Sequence, residues 1–207
     1  IRNLLFDLGG VIINLDRQRC VDALTALGDE KADEMLDLSV QRGTLMDLEE
    51  GKISPSDFLK RMRQKIGKAV SDEEIVHALN ELLIGIPLDR LTLLRKLRQR
   101  FNVMMLSNTN PIMFDTKIAE CFAQEGLSIT DYFDDVYLSY RLKSCKPDIA
   151  IFKKVIKLSR IVPQETLFFD DSQKNLDAAA SLGFKTFLVT PDRDIVTFFN
   201  TQSIDDF

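Results

Sequence analysis

The sequence contains a single histidine, His77. That excludes a multi-histidine metal site and sets aside a Ser-His-Asp triad. His77 stands in a stretch of helical spacing and reads as a surface or packing residue. Cysteine is also scarce: Cys20, Cys121 and Cys145 are an odd number with no close pair, the pattern of a reduced, cytoplasmic chain rather than a disulfide scaffold. Any bound metal is therefore expected to be held by oxygen, which favours Mg²⁺ over zinc. No apolar run approaches a membrane span. No charged-then-apolar leader opens the chain either, because Leu4 to Val11 is broken by Asp7 and two glycines. The net charge of −5 argues against a nucleic-acid surface as the main purpose. Gly9-Gly10 is not followed by Gly-Lys-Ser, so nucleotide binding through a P-loop is not expected.

What is present is an ordinary globular composition, 207 residues with 45% hydrophobic and 29% charged, enough for a well-buried domain with a smaller insert. Leu4, Leu5 and Phe6 form a short apolar run of the kind found in a strand buried on both faces, and it stops at Asp7-Leu8-Gly9-Gly10. From about residue 15 to 86 the pattern is helical, with no convincing strand. Val21, Leu24 and Leu27 share a helical face that Gly28 ends. Met35, Leu36 and Leu38 point to a short helix before Gly43. Ser54-Pro55 with Asp57 starts another helix, striped by Phe58, Leu59, Met62 and Ile66. Ser71-Asp72-Glu73-Glu74 is a capping box.

Beyond Pro87 helix and strand alternate. Leu91, Leu94 and Leu97 stripe a helix whose Arg95, Lys96, Arg98 and Arg100 read as a solvated face. Strands are expected at Phe101–Leu106, Val136–Ser139, Thr166–Phe169 and Phe184–Val189, with Pro147 starting a helix between the second and third of these. Such alternation implies a parallel sheet covered on both faces. The fold expected is therefore α/β, a Rossmann-like core from residues 1–14 and 87–207 with residues 15–86 inserted as a helical block.

Three of the expected strands end in polar residues: Asp7, then Ser107-Asn108-Thr109, then Asp170-Asp171. In a parallel sheet these ends lie on one edge. Carboxylates converging there repel unless a cation lies among them, and Mg²⁺ suits an all-oxygen set. Lys146 is placed to reach the same edge, with Lys143 as its competitor. Carboxylates, an oxygen-bound cation, a lysine and a hydroxyl together point to phosphoryl transfer.

The ordered segments Phe6-Asp7-Leu8-Gly9-Gly10-Val11, Leu106-Ser107-Asn108-Thr109, Lys146-Pro147 and Phe168-Phe169-Asp170-Asp171-Ser172 with Asn175 resemble the four motifs of the haloacid dehalogenase superfamily. The helical insert resembles its C1 cap. The first motif is similar to that of members acting on glucose 1-phosphate and to the amino-terminal phosphatase domain of bifunctional epoxide hydrolases. The resemblance implies that Asp7 is a nucleophile forming an aspartyl-phosphate, that Ser107 and Asn108 hydrogen-bond the phosphoryl group beside Gly9 and Gly10, and that Lys146 bridges it to Asp7. It further implies that Mg²⁺ is held by Asp7, the carbonyl of Gly9, Asp171 and Asp170, with Asn175 supporting them from behind. The expected partner is a small phosphorylated metabolite, a sugar phosphate, bound by a monomer or homodimer that engages neither nucleic acid nor membrane.

One position departs from the pattern. Where most phosphatases of this superfamily carry a second Asp that protonates the leaving group and then activates water, this chain has Gly9. A proton donor of that kind contributes roughly 10²- to 10⁴-fold in rate. Asp16, just beyond the turn, is one candidate substitute, although it also suits the start of the helix at Arg17. A phosphate-binding protein without turnover and a phosphotransferase or mutase are the alternatives Gly9 leaves open. The turn Glu49-Glu50-Gly51-Lys52 is expected to lie between cap helices and contribute to selectivity.

Overall fold

A computed structural model of the protein describes residues 1–36 and 43–201. Five parallel strands form the central sheet: β1 (Asn3–Phe6), β4 (Asn102–Ser107), β5 (Asp135–Leu138), β6 (Thr166–Asp170) and β7 (Lys185–Leu188), in the order β5-β4-β1-β6-β7. β1 is central, and Leu4, Leu5 and Phe6 are fully buried, as expected of a strand covered on both faces. Phe6 pairs with Met105 on one side and with Phe169 on the other, and its ring stacks on that of Phe169 at 4.7 Å. This register brings Asp7, Ser107 and Asp170 to the same carboxyl edge.

Two apolar layers sandwich the sheet. Leu91, Leu94, Phe122, Phe133 and Phe198 lie on one face, and Phe152, Val155, Leu176 and Phe184 on the other. The strands fall within a residue or so of their expected positions. Pro147 does not start its helix. The Lys146-Pro147 peptide is cis, and the helix Ile149–Ser159 begins two residues later, where Asp148 Oδ1 accepts from Ala150 N at 2.8 Å. A capping carboxylate competes successfully with the proline for that helix start. The arginine-rich helix Leu88–Leu97 carries its expected solvated face, with Arg95, Lys96 and Arg100 exposed and Arg98 half-buried. Arg95 pairs with Glu125 at 2.8 Å, and Arg98 grips Asp134 at 2.8 Å and the carbonyl of Thr130.

The inserted segment folds into helices Arg17–Leu27, Ala32–Met35, Thr44–Glu49, Pro55–Ile66 and Asp72–Asn80. They build an apolar cluster of their own around Leu24, Leu48, Phe58, Met62, Ile75 and Leu79, joined from the sheet side by Ile112. Ser54 with Asp57 and Ser71 with Glu74 form reciprocal capping boxes, and Gly28 closes the first helix in a left-handed conformation. His77 lies exposed on its helix beside Glu81. Leu38 and the terminal residues 202–207 lie outside the described residues.

The expectation of no strand in this segment is corrected at its ends. β2 (Asn14–Leu15) and β3 (Leu83–Gly85) pair as an antiparallel ribbon. Two and three residues are too few for period-two patterning to register; the ribbon exists because both connections between sheet and insert pass the same place. Arg90, largely buried, secures it by donating to the Ile12 carbonyl at 3.0 Å and to Asn14 Oδ1 at 2.9 Å.

Candidate active site

Asp7 leaves the end of β1, and its Oδ1 accepts from its neighbour's main-chain N–H, Leu8 N, at 2.7 Å. The Lys146 ammonium is inserted between two carboxylates, 2.8 Å from Asp7 Oδ1 and 2.7 Å from Asp170 Oδ2. Its side chain is 1% exposed, so this charge exists only because the two acids compensate it. Burial pulls the Lys146 pKa down, but Asp170 and Asp7 outweigh it and hold the group above its ordinary value. Burial pushes Asp7 up to about 7, against the pull of Lys146 and with help from Asp170 and Asp171. Asp171 is raised too, by burial first and by Asp170 second.

Asp170 is completely buried and heavily engaged. Beyond Lys146, its Oδ1 accepts from Ser172 N at 2.8 Å and from Asn175 Nδ2 at 2.9 Å. Asn175 thus holds the Asp170 carboxylate on the side away from Lys146. Asp171 faces solvent on the same edge. Asp7, Asp170 and Asp171 each offer a carboxylate oxygen, and the three oxygens lie within 4.8 Å of one another. Hard oxygen donors so disposed fit Mg²⁺. Gly10 completes the cradle. It has φ +70°, and a Cβ there would overlap the Asp171 carboxylate. At Gly9 a Cβ would meet the Leu15 side chain, its Cδ1 at 3.0 Å.

The segment after β4 is held by side chains the sequence reading assigned elsewhere or passed over. Asn108 uses its whole amide on the main chain of Lys146: Oδ1 accepts from Lys146 N at 2.8 Å, and Nδ2 donates to Lys146 O at 2.9 Å. In this arrangement the Asn108 side chain positions the lysine rather than facing a phosphoryl group. Ser107 is buried, its hydroxyl 3.3 Å from the Asn108 carbonyl. Ser139, at the end of β5, fixes Thr109 in both directions, its Oγ accepting from Thr109 N and donating to Thr109 O, each at 3.0 Å. It closes its strand with a polar residue as Asp7, Ser107 and Asp170 close theirs, so the same signal could have found it.

Lys143 does not compete with Lys146. Its Nζ donates to the Gly51 carbonyl at 2.7 Å, clasping the Glu49–Lys52 turn of the insert onto the sheet side. Between that turn and the lysine loop lies a crevice of about 440 Å³, lined by Asp47, Glu50, Lys52, Cys145, Lys146 and Asp148 among others. Asp16 is an N-cap: its Oδ1 accepts from Arg19 N at 3.2 Å.

A model of the haloacid dehalogenase-like hydrolases matches residues 1–183. The chain belongs to that family. It is 40% identical to the D-ribitol-5-phosphate phosphatase of Bacteroides thetaiotaomicron over 187 residues, 90% of this chain and 91% of that protein. A crystal structure of a haloacid dehalogenase family enzyme from the same organism, in complex with magnesium and inorganic phosphate, superimposes with a TM-score of 0.90 at 40% identity, covering 96% of this chain and 99% of that one. The bifunctional epoxide hydrolase 2 of Sus scrofa is 27% identical over 205 residues, 91% of this chain but 36% of that protein.

Proposed function

We propose that this hydrolase is a Mg²⁺-dependent phosphatase that transfers the phosphoryl group of a small phosphorylated sugar or sugar alcohol to Asp7 and then to water. The observation that carries the reading is the Lys146 ammonium buried between Asp7 and Asp170, with Asp171 on the same edge. A binding site for an anion gains nothing from a carboxylate at its centre; a nucleophile held for in-line attack needs one there. Asp7, Asp171 and the Gly9 carbonyl, with Asp170 behind them, would hold the ion, which supplies charge neutralisation on the phosphoryl oxygens.

The rest is done by the chain itself. Lys146 directs Asp7 and offsets charge on the transferring group, Asn108 fixes the lysine, and Ser107 with the main chain after β4 offers donors to the phosphoryl oxygens. The division that supports this reading is a core of residues 1–14 and 87–207 and a cap of residues 15–86. The β2–β3 ribbon is their junction, and the Glu49–Lys52 turn reaches over the site to select the alcohol. The 40% identity to a D-ribitol-5-phosphate phosphatase favours a phosphorylated sugar alcohol over other esters.

The test is hydrolysis of p-nitrophenyl phosphate and of a panel of pentitol and sugar phosphates, with Mg²⁺ or with chelator, by the parent and by Asp7→Asn. Turnover that needs Mg²⁺ and vanishes in Asp7→Asn supports the phosphatase. Tight phosphate binding with no Asp7-dependent turnover on any ester would overturn it in favour of a binding protein. Phosphoryl transfer to an added alcohol without release of inorganic phosphate would make it a phosphotransferase.

A further inference from the structure

Two lysines three residues apart serve opposite sides of one loop. Lys146 enters between the acids of the core, and Lys143 donates to Gly51 O of the insert at 2.7 Å. Both ends of the second contact are shaped for it. Lys143 closes the short helix Ser139–Leu142 at φ +53°, a left-handed backbone that few residues other than glycine adopt. The carbonyls of Leu142 and Lys143 are held in turn by Lys154 Nζ, at 2.7 and 3.4 Å. Gly51 has φ +60°, and a Cβ there would overlap both the Lys143 ammonium and the Tyr140 carbonyl. A glycine is what lets the insert come this close.

The turn that carries Gly51 is tied together by its own main chain. Glu50 N donates to Met46 O at 2.8 Å, Gly51 N to Leu48 O at 2.9 Å and Lys52 N to Asp47 O at 2.7 Å. Fixing Gly51 therefore fixes Glu50 and Lys52 on either side of it. Those two residues, with Asp47, belong to the insert's wall of the crevice of about 440 Å³, and Cys145, Lys146 and Asp148 belong to the core's wall. Lys146 thus lines the crevice and also pairs with Asp7, which makes the crevice the space next to the phosphoryl site. Its volume lies in the roughly 300–1,000 Å³ range of small-molecule pockets. The carboxylates and the Lys52 ammonium on its walls can accept from and donate to hydroxyl groups. The width of that space is the distance between the turn and the lysine loop, and Lys143 spans the two.

We propose that Lys143 is a positioning residue: through Gly51 it holds the insert at the distance that makes the crevice fit the hydroxylated chain of the substrate. This rests on the phosphatase reading above. The chemistry at phosphorus stays with Asp7 and Lys146. What Lys143 governs is the affinity for the alcohol part of the ester. Inorganic phosphate has no alcohol part, so its binding does not depend on the contact.

The experiment measures kcat and KM on a pentitol phosphate, and inhibition by inorganic phosphate, for the parent, Lys143→Met, Lys143→Arg and Gly51→Ala. Methionine keeps the stem and removes the donor. In Lys143→Met, KM should rise roughly tenfold, the worth of one hydrogen bond from a charged donor, with kcat and the inhibition constant of phosphate little changed. Lys143→Arg, which still donates, should lie close to the parent. Gly51→Ala should raise KM as well, and adding Lys143→Met to it should cost nothing more, since both break the same contact. If Gly51→Ala folds poorly, the two lysine variants decide alone. Asn80→Ala is the control. Asn80 Nδ2 donates to Thr116 Oγ1 at 3.0 Å between insert and core, and neither residue lines the crevice, so KM should stay at the parent value. An unchanged KM in Lys143→Met, an equal loss for inorganic phosphate, or the same rise of KM in Asn80→Ala overturns the assignment while leaving the phosphatase intact. Absence of Asp7-dependent turnover in the parent overturns the phosphatase reading itself.

Discussion

Replacing Lys146 with methionine tests the architecture of the site without any ligand. The ammonium is the only cation contacting Asp7 and Asp170 among the described residues. Removing one member of a buried charge pair costs about 3–5 kcal/mol, a large share of the 5–15 kcal/mol (about) that holds a domain folded. The cost also depends on pH, and its direction follows from Asp7. Its folded value of about 7 lies above the 3.8 of an ordinary Asp, so the folded state holds this proton more tightly than the unfolded state. The stability that the proton supplies is complete below pH 4 and is lost as pH climbs through 7. Without Lys146 the one strong influence lowering Asp7 is gone, its value rises further, and the loss continues to higher pH. Urea denaturation in chelator, at pH 6 and at pH 8.5, measures this. Lys146→Met should be destabilised at both, and more at pH 8.5. A destabilisation below about 1 kcal/mol, the worth of an exposed ion pair, or one that shrinks as pH rises, would refute the reasoning.

Three further outcomes follow from the geometry. Gly10→Ala forces a side chain into a left-handed conformation, at about 1–2 kcal/mol, and drives a methyl into the Asp171 carboxylate; Mg²⁺-dependent turnover should be lost, and activity at the parent level would disprove the crowding. Asn108→Ala leaves the Lys146 main-chain N–H and carbonyl without partners, about 1–3 kcal/mol; kcat should fall at least tenfold with KM little changed, and a pure KM effect would show that the amide meets substrate instead. Arg90→Met frees the Ile12 carbonyl and Asn14 at the junction, about 1–3 kcal/mol; limited proteolysis should cut more readily between residues 12 and 16, and an unchanged cleavage rate would remove Arg90 as the anchor.

Most of the sheet was legible because β1, β4 and β6 are short apolar runs that give way to polar residues, a pattern imposed by burial on both faces. Ser54, Ser71 and Gly28 were legible as helix boundaries because capping is local chemistry. The β2–β3 ribbon was not, since its stability comes from meeting a partner nearly 70 residues away, and neither was the delayed helix start at Asp148. Within the site, Asp7, Lys146, Asp170, Asp171 and Asn175 could be named from ordered motifs. The work of Asn108 and Lys143 could not: an amide that spans a main chain 38 residues away and a lysine that clasps Gly51 leave no mark on their own neighbours in the chain.

The sequence by itself determined which residue types stand at the carboxyl edge, that any metal there must be bound by oxygen, and that the core lacks an acid at Gly9. These follow from composition and from the order of strand ends, which burial enforces. Only the tertiary structure decided that Lys146 rather than Lys143 enters between the acids, that Asp16 is occupied as a cap, and that Lys143 instead clasps the main chain at Gly51. Pairing and burial depend on which surfaces are brought together in space, and no local pattern records that.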